Sequence, residues 1–222
     1  MTRTLSGPSR GAAQGEASAL VVLLHGYGAN GDDLFGLAEP LSGILPHAAF
    51  SAPNAPERTP MSPFGFQWFP IPWIDGSSEE AMREGFVQAE ADLDAFLDAE
   101  LTRHALTADR LALIGFSQGA MMALQAAPRR EPSVAGVVGF SGRLADASRL
   151  AQEARSKPPV LLVHGDQDDV IPVAALEEAR SGLAAADFPV RWHVSAGVGH
   201  GIAPDGLQLA AEFLREVLPK SA

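Results

Sequence analysis

The amino-acid sequence predicts a single α/β domain in which a mostly parallel central sheet carries helices on both faces. Its 222 residues suit one domain with one large core, and 46% of them are hydrophobic. Short apolar runs alternate with longer amphipathic stretches, and each run is continuous, as in parallel strands buried on both faces. Such alternation is typical of a doubly wound sheet, whose active site lies at the carboxyl ends of the strands.

Six strands and five helices follow from this pattern. The predicted strands are the apolar runs at 19–24, 48–52, 110–116, 134–140, 159–163 and 189–194. The predicted helices span 32–42, 78–104, 118–127, 173–186 and 204–218. The prolines at 128, 172 and 204 mark the end of the third helix and the starts of the last two.

The amino-acid composition restricts the cellular compartment and the kinds of site that we expect for this protein. Residues 1–17 are rich in Ser, Gly, Arg and Ala, and we expect them to form a flexible N-terminal arm ahead of the α/β domain at 18–222. We see no apolar block of signal-peptide or membrane-span length. The absence of cysteine excludes disulfides, thiolate metal sites and a cysteine nucleophile, and it fits a cytoplasmic protein.

The net charge of −11 opposes binding to nucleic acid or to anionic lipid. Both of those partners require clustered Lys and Arg near phosphates. We therefore expect a small-molecule substrate, no nucleic acid and no stable membrane insertion. The composition leaves homo-oligomerisation open.

A predicted strand, a tight turn and a predicted helix meet at Ser117. The residues from Gly115 to Gly119 read G-x-S-x-G, the pattern of a nucleophile elbow. The turn is so tight that side chains at 115 and 119 would collide with neighbouring backbone. We therefore interpret Ser117 as a nucleophile rather than as part of an ordinary glycine-rich turn.

A serine hydroxyl needs a base, and in this fold the chain order is nucleophile, acid, base. His200 lies in a glycine-rich loop after the last predicted strand, where that order places the base. His193 lies inside the strand, and we interpret it as structural. The acid should follow the strand at 159–163, where Asp166, Asp168 and Asp169 stand within four residues.

Three carboxylates so close together also suit a Ca²⁺ or Mg²⁺ loop. The run lacks a glycine at the sixth position and a distal Glu in register, so we predict no metal and no cofactor. Asp168 lies at the outer part of the turn, where its side chain can reach His200. Asp166 is placed to shape the turn, and Asp169 to face the following helix or water.

The tetrahedral intermediate of acyl transfer needs backbone N–H donors as an oxyanion hole. The N–H of Gln118, directly after the serine, is one predicted donor. The N–H of Tyr27 is the other, from the glycine-rich loop that follows the first central strand. A phosphate-binding loop is the alternative there, but it lacks the Lys-Ser/Thr that should follow.

Segment 58–77 is rich in proline and aromatic residues. We expect its aromatic side chains to line an acyl pocket near the catalytic edge, with a satellite core or a dimer patch as alternatives. The predicted pocket residues are Phe64, Phe66, Trp68 and Trp73.

Several of these motifs together resemble the phospholipase/carboxylesterase family. The resemblance covers residues 18–219 and runs through 24–28, 52–56, 67–69, 115–119, 164–168 and 199–200. It implies an α/β-hydrolase fold and metal-free hydrolysis of esters or thioesters through an acyl-enzyme. It also implies the roles of nucleophile, acid and base for Ser117, Asp168 and His200.

The sequence therefore predicts a serine hydrolase that cleaves carboxylic esters of short to medium acyl chains. Thioester cleavage, as in acyl-protein thioesterases, and lysophospholipase activity are the alternatives within the family. A peptidase and a non-catalytic binding protein on the same fold are the rival classes.

Overall fold

A computed structural model describes residues 2–145 and 147–218 of the chain. Within these ranges, seven strands form one sheet in the order β1-β3-β2-β6-β7-β8-β9, and β4 and β5 form a small ribbon. The strands are β1 Ser9–Arg10, β2 Ala19–Leu24, β3 Ala48–Ser51, β4 Glu57–Arg58, β5 Phe66–Gln67, β6 Leu111–Phe116, β7 Gly136–Phe140, β8 Val160–Gly165 and β9 Val190–Ser195. The α-helices are α1 Gly31–Phe35, α2 Ala38–Ile44, α3 Pro72–Asp75, α4 Glu79–Arg103, α5 Gln118–Arg129, α6 Ala147–Glu153, α7 Ala174–Ala185 and α8 Pro204–Val217.

The main sheet is parallel from β3 to β9, and only the short β1 runs antiparallel. From β2 the chain first adds β3 on one side and later β6 to β9 on the other, so helices cover both faces. The predicted α/β architecture is confirmed. Of the helices described, none combines the length and apolarity that crossing a bilayer requires.

Alternate strand residues pack into two separate cores, one on each face of the sheet. In β2, Leu20 and Leu24 join the core under α4, α5 and α7, whereas Val21 and Leu23 join the core under α1, α2 and α8. All four side chains are fully buried. Burial on both faces explains why the strands read as continuous apolar runs.

Some helix boundaries differ from the predicted ones. The helix expected at 32–42 is divided into α1 and α2, and the side chain of Asn30 caps α1. Helix α5 continues past the expected stop to Arg129, with Pro128 inside it. A proline in the last turn removes only one hydrogen bond of the helix, and its carbonyl accepts the N–H groups of Arg155 and Ser156.

The described residues 2–17, expected to form a flexible arm, lie against the domain. Strand β1 pairs with β3, and Leu5 is buried in the core. Arg3 forms ion pairs with Glu57 and with the fully buried carboxylate of Asp92. Backbone pairing and single ion pairs leave no periodic apolar pattern in a sequence, so this docking could not be predicted from residues 1–17.

Candidate active site

Ser117 occupies the sharp turn between β6 and α5. Its backbone has φ +53° and ψ −116°, a conformation that residues with a side chain rarely adopt. The Ser117 N–H donates to the carbonyl of Phe140 on the neighbouring strand at 2.9 Å. The turn is therefore held at the carboxyl end of the sheet, where the fold class places chemistry.

The glycines on either side of Ser117 are required by close contacts. A Cβ on Gly115 would lie 2.3 Å from the carbonyl oxygen of Gly119, and a Cβ on Gly119 would lie 1.9 Å from that of Leu24. No side chain fits at such distances. The structure thus confirms the steric reason for the G-x-S-x-G pattern.

Asp168 and His200 are brought together by the loops that follow β8 and β9. The His200 Nδ1 lies 2.7 Å from Asp168 Oδ2. The other carboxylate oxygen, Oδ1, accepts the N–H groups of Val170 at 3.0 Å and Ile171 at 2.8 Å. The buried His164 places Nε2 3.2 Å from Oδ2. The Asp168 carboxylate is thus fixed on both oxygens, and it holds the imidazole in one orientation.

Burial of the Asp168 carboxylate opposes its ionisation. The hydrogen bonds from His200 and from the N–H groups of Ile171 and Val170 outweigh that effect, so the pKa of Asp168 lies below its ordinary value. The carboxylate therefore remains charged at neutral pH, as a partner of a histidine base should be.

The two neighbouring acids have other surroundings. Asp166 Oδ1 accepts the N–H of Gly197 at 2.7 Å, which ties the loop of His200 to the loop of Asp168. Asp169 is exposed. Across residues 2–145 and 147–218, no group of three or more potential metal-ligating side chains gathers.

The loop that carries His200 is anchored at its base by a second histidine–carboxylate pair. His193 Nε2 lies 2.7 Å from Asp205 Oδ2, and the Ser195 hydroxyl donates to Asp205 Oδ1 at 3.1 Å. The His200 ring packs on Phe116, with ring centroids 4.9 Å apart. The structure thus gives His193 a structural contact, as we interpreted it.

The two predicted oxyanion donors lie on segments that approach each other. Gln118 is the first residue of α5, where the N–H has no acceptor within the helix. A Cβ on Gly26 would lie 3.2 Å from the Cβ of Ser117, so the backbone beside Tyr27 passes directly over the serine. The Tyr27 hydroxyl points elsewhere and donates to Asp75 at 3.2 Å.

His25 supports this loop, a role that the sequence analysis missed. The ring is buried, with Nδ1 2.7 Å from the Gly26 carbonyl and Nε2 accepting the Ala55 N–H at 2.9 Å. These contacts require a neutral ring protonated on Nδ1, and burial lowers the pKa of His25 accordingly. Its place directly before Gly26 was the only signal in the sequence.

The predicted pocket residues separate into different environments. Phe64 and Trp73 are 77% and 72% exposed, and Phe66 is half-buried beneath the guanidinium of Arg58. Trp68 has no exposed surface. Its assignment to the acyl pocket is corrected, because a fully buried indole contacts no substrate; it packs in the large core on one face of the main sheet. Segment 58–77 lacks a regular alternation of apolar and polar residues, so its sequence could not distinguish the buried aromatic side chains from the exposed ones.

This fold, with a nucleophile-elbow serine and a histidine–aspartate pair on loops at the carboxyl edge of the same sheet, defines an α/β hydrolase. Residues 11–218 match the model of the phospholipase/carboxylesterase family, and the chain belongs to that family. The expectation of an ester or thioester hydrolase is thereby confirmed at the level of the family.

Individual relatives extend this similarity over nearly the whole chain. The crystal structure of esterase PE8 superposes with a TM-score of 0.92 and 44% identity, covering 97% of this chain and 100% of that one. Esterase YpfH of Escherichia coli is 29% identical over 208 residues, which are 92% of this chain and 85% of that protein. Acyl-protein thioesterase 1 of Gibberella zeae is 26% identical over 225 residues, covering 93% of this chain and 94% of that protein.

The close contacts at the elbow predict the effect of one methyl group. Gly119→Ala should lower the free energy of unfolding by about 3 kcal/mol or more, the upper range for overpacking, and should abolish turnover. Gly43→Ala is the matched control, because a Cβ there, on the exposed side of α2, meets nothing within 4 Å. The control should gain about 0.5–1 kcal/mol. Urea unfolding measures both, and normal stability and turnover in Gly119→Ala would refute the steric account.

Proposed function

We propose that the protein is a serine esterase in which Ser117, His200 and Asp168 form the catalytic triad. One observation carries the proposal: the strained Ser117 lies at the carboxyl end of the sheet, and a histidine–carboxylate pair lies at the same edge. In that pair, His200 Nδ1 is 2.7 Å from Oδ2 of the buried, charged Asp168. Family membership supports the ester-cleaving reaction.

In the proposed mechanism, the Ser117 hydroxyl attacks the acyl carbonyl, and His200 Nε2 takes its proton. The proton on Nδ1 stays hydrogen-bonded to Asp168, which fixes the tautomer and stabilises the imidazolium. His200 then protonates the leaving alcohol or thiol, which departs. Water attacks the acyl-enzyme by the same route, with His200 as base, and regenerates Ser117. No step uses a metal ion or a cofactor.

The N–H groups of Gln118 and Tyr27 are the proposed oxyanion donors. Support comes from the free position of the Gln118 N–H in the first helical turn and from the close passage of Gly26 over Ser117. Backbone donors fixed before the reaction stabilise the charge that develops on the carbonyl oxygen without rearrangement.

The proposed substrates are small esters of short to medium acyl chains, with thioesters as the alternative. The esterase names of two relatives favour esters, and the name of the Gibberella zeae relative favours acyl thioesters. Phe64, Phe66 and Trp73 remain the proposed acyl-binding residues, since each exposes apolar surface on the same segment.

A panel of one acyl group presented as ester, thioester and amide tests this proposal. We expect turnover of the ester and the thioester, and little of the amide. Ser117→Ala should keep its fold and lose turnover by about four to six orders of magnitude, as removal of a triad member does. An amide preferred over the ester would indicate a peptidase, and no turnover by the wild-type chain would favour a binding protein.

Asparagine substitutions distinguish the proposed acid from its neighbour. Asp168→Asn keeps the shape but removes the charge that supports the imidazolium, so kcat should fall by about 10⁴-fold at neutral pH. Asp169→Asn is the matched control, because that side chain is exposed, and its kcat should stay near the wild-type value. Rates on a p-nitrophenyl ester measure both, and the opposite ranking would move the acid to Asp169.

A further inference from the structure

Gln118 contacts two parts of the molecule. Its backbone N–H lies next to Ser117 in the chain, and its side chain is hydrogen-bonded to the segment after β5. We propose that this side chain and the indole of Trp68 set the geometry of the oxyanion hole by tying its two halves together. Gln118 and Trp68 are thus positioning residues for the reaction. The inference rests on the proposed function and names what holds its two donors in register.

The Gln118 amide clamps two consecutive backbone groups. Its Oε1 accepts the N–H of Trp68 at 2.9 Å, and its Nε2 donates to the carbonyl of Phe69 at 2.7 Å. The residue is 1% exposed, so water cannot replace either bond. Glutamate would lose the donor and bury a charge, and asparagine is one methylene shorter. Glutamine alone among the side chains offers both groups at this reach.

The indole of Trp68 continues the connection to the other half of the hole. Its Nε1 donates to the carbonyl of His25 at 3.0 Å. His25 directly precedes Gly26 and stands two residues before Tyr27, the second proposed donor. Phenylalanine would fill most of the same volume without making this bond. A hydrogen-bonded role thus explains why a fully buried aromatic residue is a tryptophan.

A second connection joins the same two segments. Phe66 N–H donates to the carbonyl of Ala29 at 2.7 Å, and its carbonyl accepts the N–H of Gly28 at 2.9 Å. The residues from 66 to 69 therefore bind the loop of Tyr27 on one side and the side chain of Gln118 on the other. Through this segment, helix α5 and the glycine-rich loop hold each other at a fixed separation.

This fixed separation matters to the reaction because oxyanion donors act only if they are in place before charge develops. A donor that shifts by a fraction of an ångström weakens its bond to the oxyanion more than it weakens substrate binding. The loss should therefore appear in the transition state. In kinetic terms, kcat and kcat/KM should fall together.

The test replaces each hydrogen-bonding group by an apolar one of similar shape. Gln118→Met and Trp68→Phe should each lower kcat on p-nitrophenyl butyrate by about ten- to hundredfold, less than the loss of a whole oxyanion donor. Affinity for a trifluoromethyl ketone, which forms the oxyanion on the enzyme, should fall by a similar factor. Both effects are measured well below the unfolding temperature of each variant.

Gln125→Met is the matched control on the same helix. Gln125 donates to Glu90 at 2.8 Å, away from the oxyanion loop, so this variant should lose a comparable bond and keep kcat within about twofold. The double variant Gln118→Met/Trp68→Phe should be hardly slower than the slower single variant, because both substitutions cut one connection.

The kinetics of these variants decide the inference. An unchanged kcat and ketone affinity in Gln118→Met, or independent and multiplying losses in the double variant, would overturn the inference. If Gln118→Met does not fold, Trp68→Phe alone decides, by the same two readouts. Ser117→Ala in the same assay distinguishes failure of the proposed function from failure of the positioning roles. Activity without the serine would overturn the proposed function. An inactive Ser117→Ala together with a fully active Gln118→Met would overturn only the positioning roles.

Discussion

The backbone of Ser117 is held in a conformation that residues with a side chain rarely adopt, and the geometry of the site depends on that turn. A single residue in such a conformation costs on the order of 1–3 kcal/mol. The turn persists because β6 is buried on both faces, its neighbours supply the hydrogen bond to Ser117, and Gly115 and Gly119 admit the close contacts. The stability of the central sheet thus maintains a strained serine at its edge.

The remaining parts of the site approach this turn on loops from three other strands. The loop after β2 passes over the serine through Gly26, and the loops after β8 and β9 bring Asp168 to His200. Hydrogen bonds between segments tie these loops to one another and to α5. Asp166 joins the last two loops, and the segment around Trp68 joins the first one to α5.

The sequence predicted the parts of the molecule whose physical cause is local. The continuous apolar strands, the glycines around Ser117 and the loop position of His200 each have a reason within a few residues of the chain. The choice of Asp168 over Asp169 needed more than spacing, and the structure places only Asp168 against His200.

The roles that the sequence did not predict depend on distant partners. The N-terminal segment docks through backbone bonds and through Arg3, whose partners lie 54 and 89 residues away in the chain. We predicted Trp68 as a pocket residue because its neighbours in the sequence are apolar. Its burial and its hydrogen bond to the His25 carbonyl follow instead from tertiary packing. Side-chain composition alone does not separate an aromatic residue that meets substrate from one that supports a loop.

Covalent catalysis through Ser117 is the central claim, and trapping the acyl-enzyme tests it most directly. The wild-type protein would be mixed with p-nitrophenyl butyrate, quenched with acid within the first turnovers, digested and analysed by mass spectrometry. The account predicts one butyryl group on the peptide that contains Ser117, and on that serine within it. A butyryl group on another residue, or turnover with no acylated peptide when deacylation is the slow step, would contradict it.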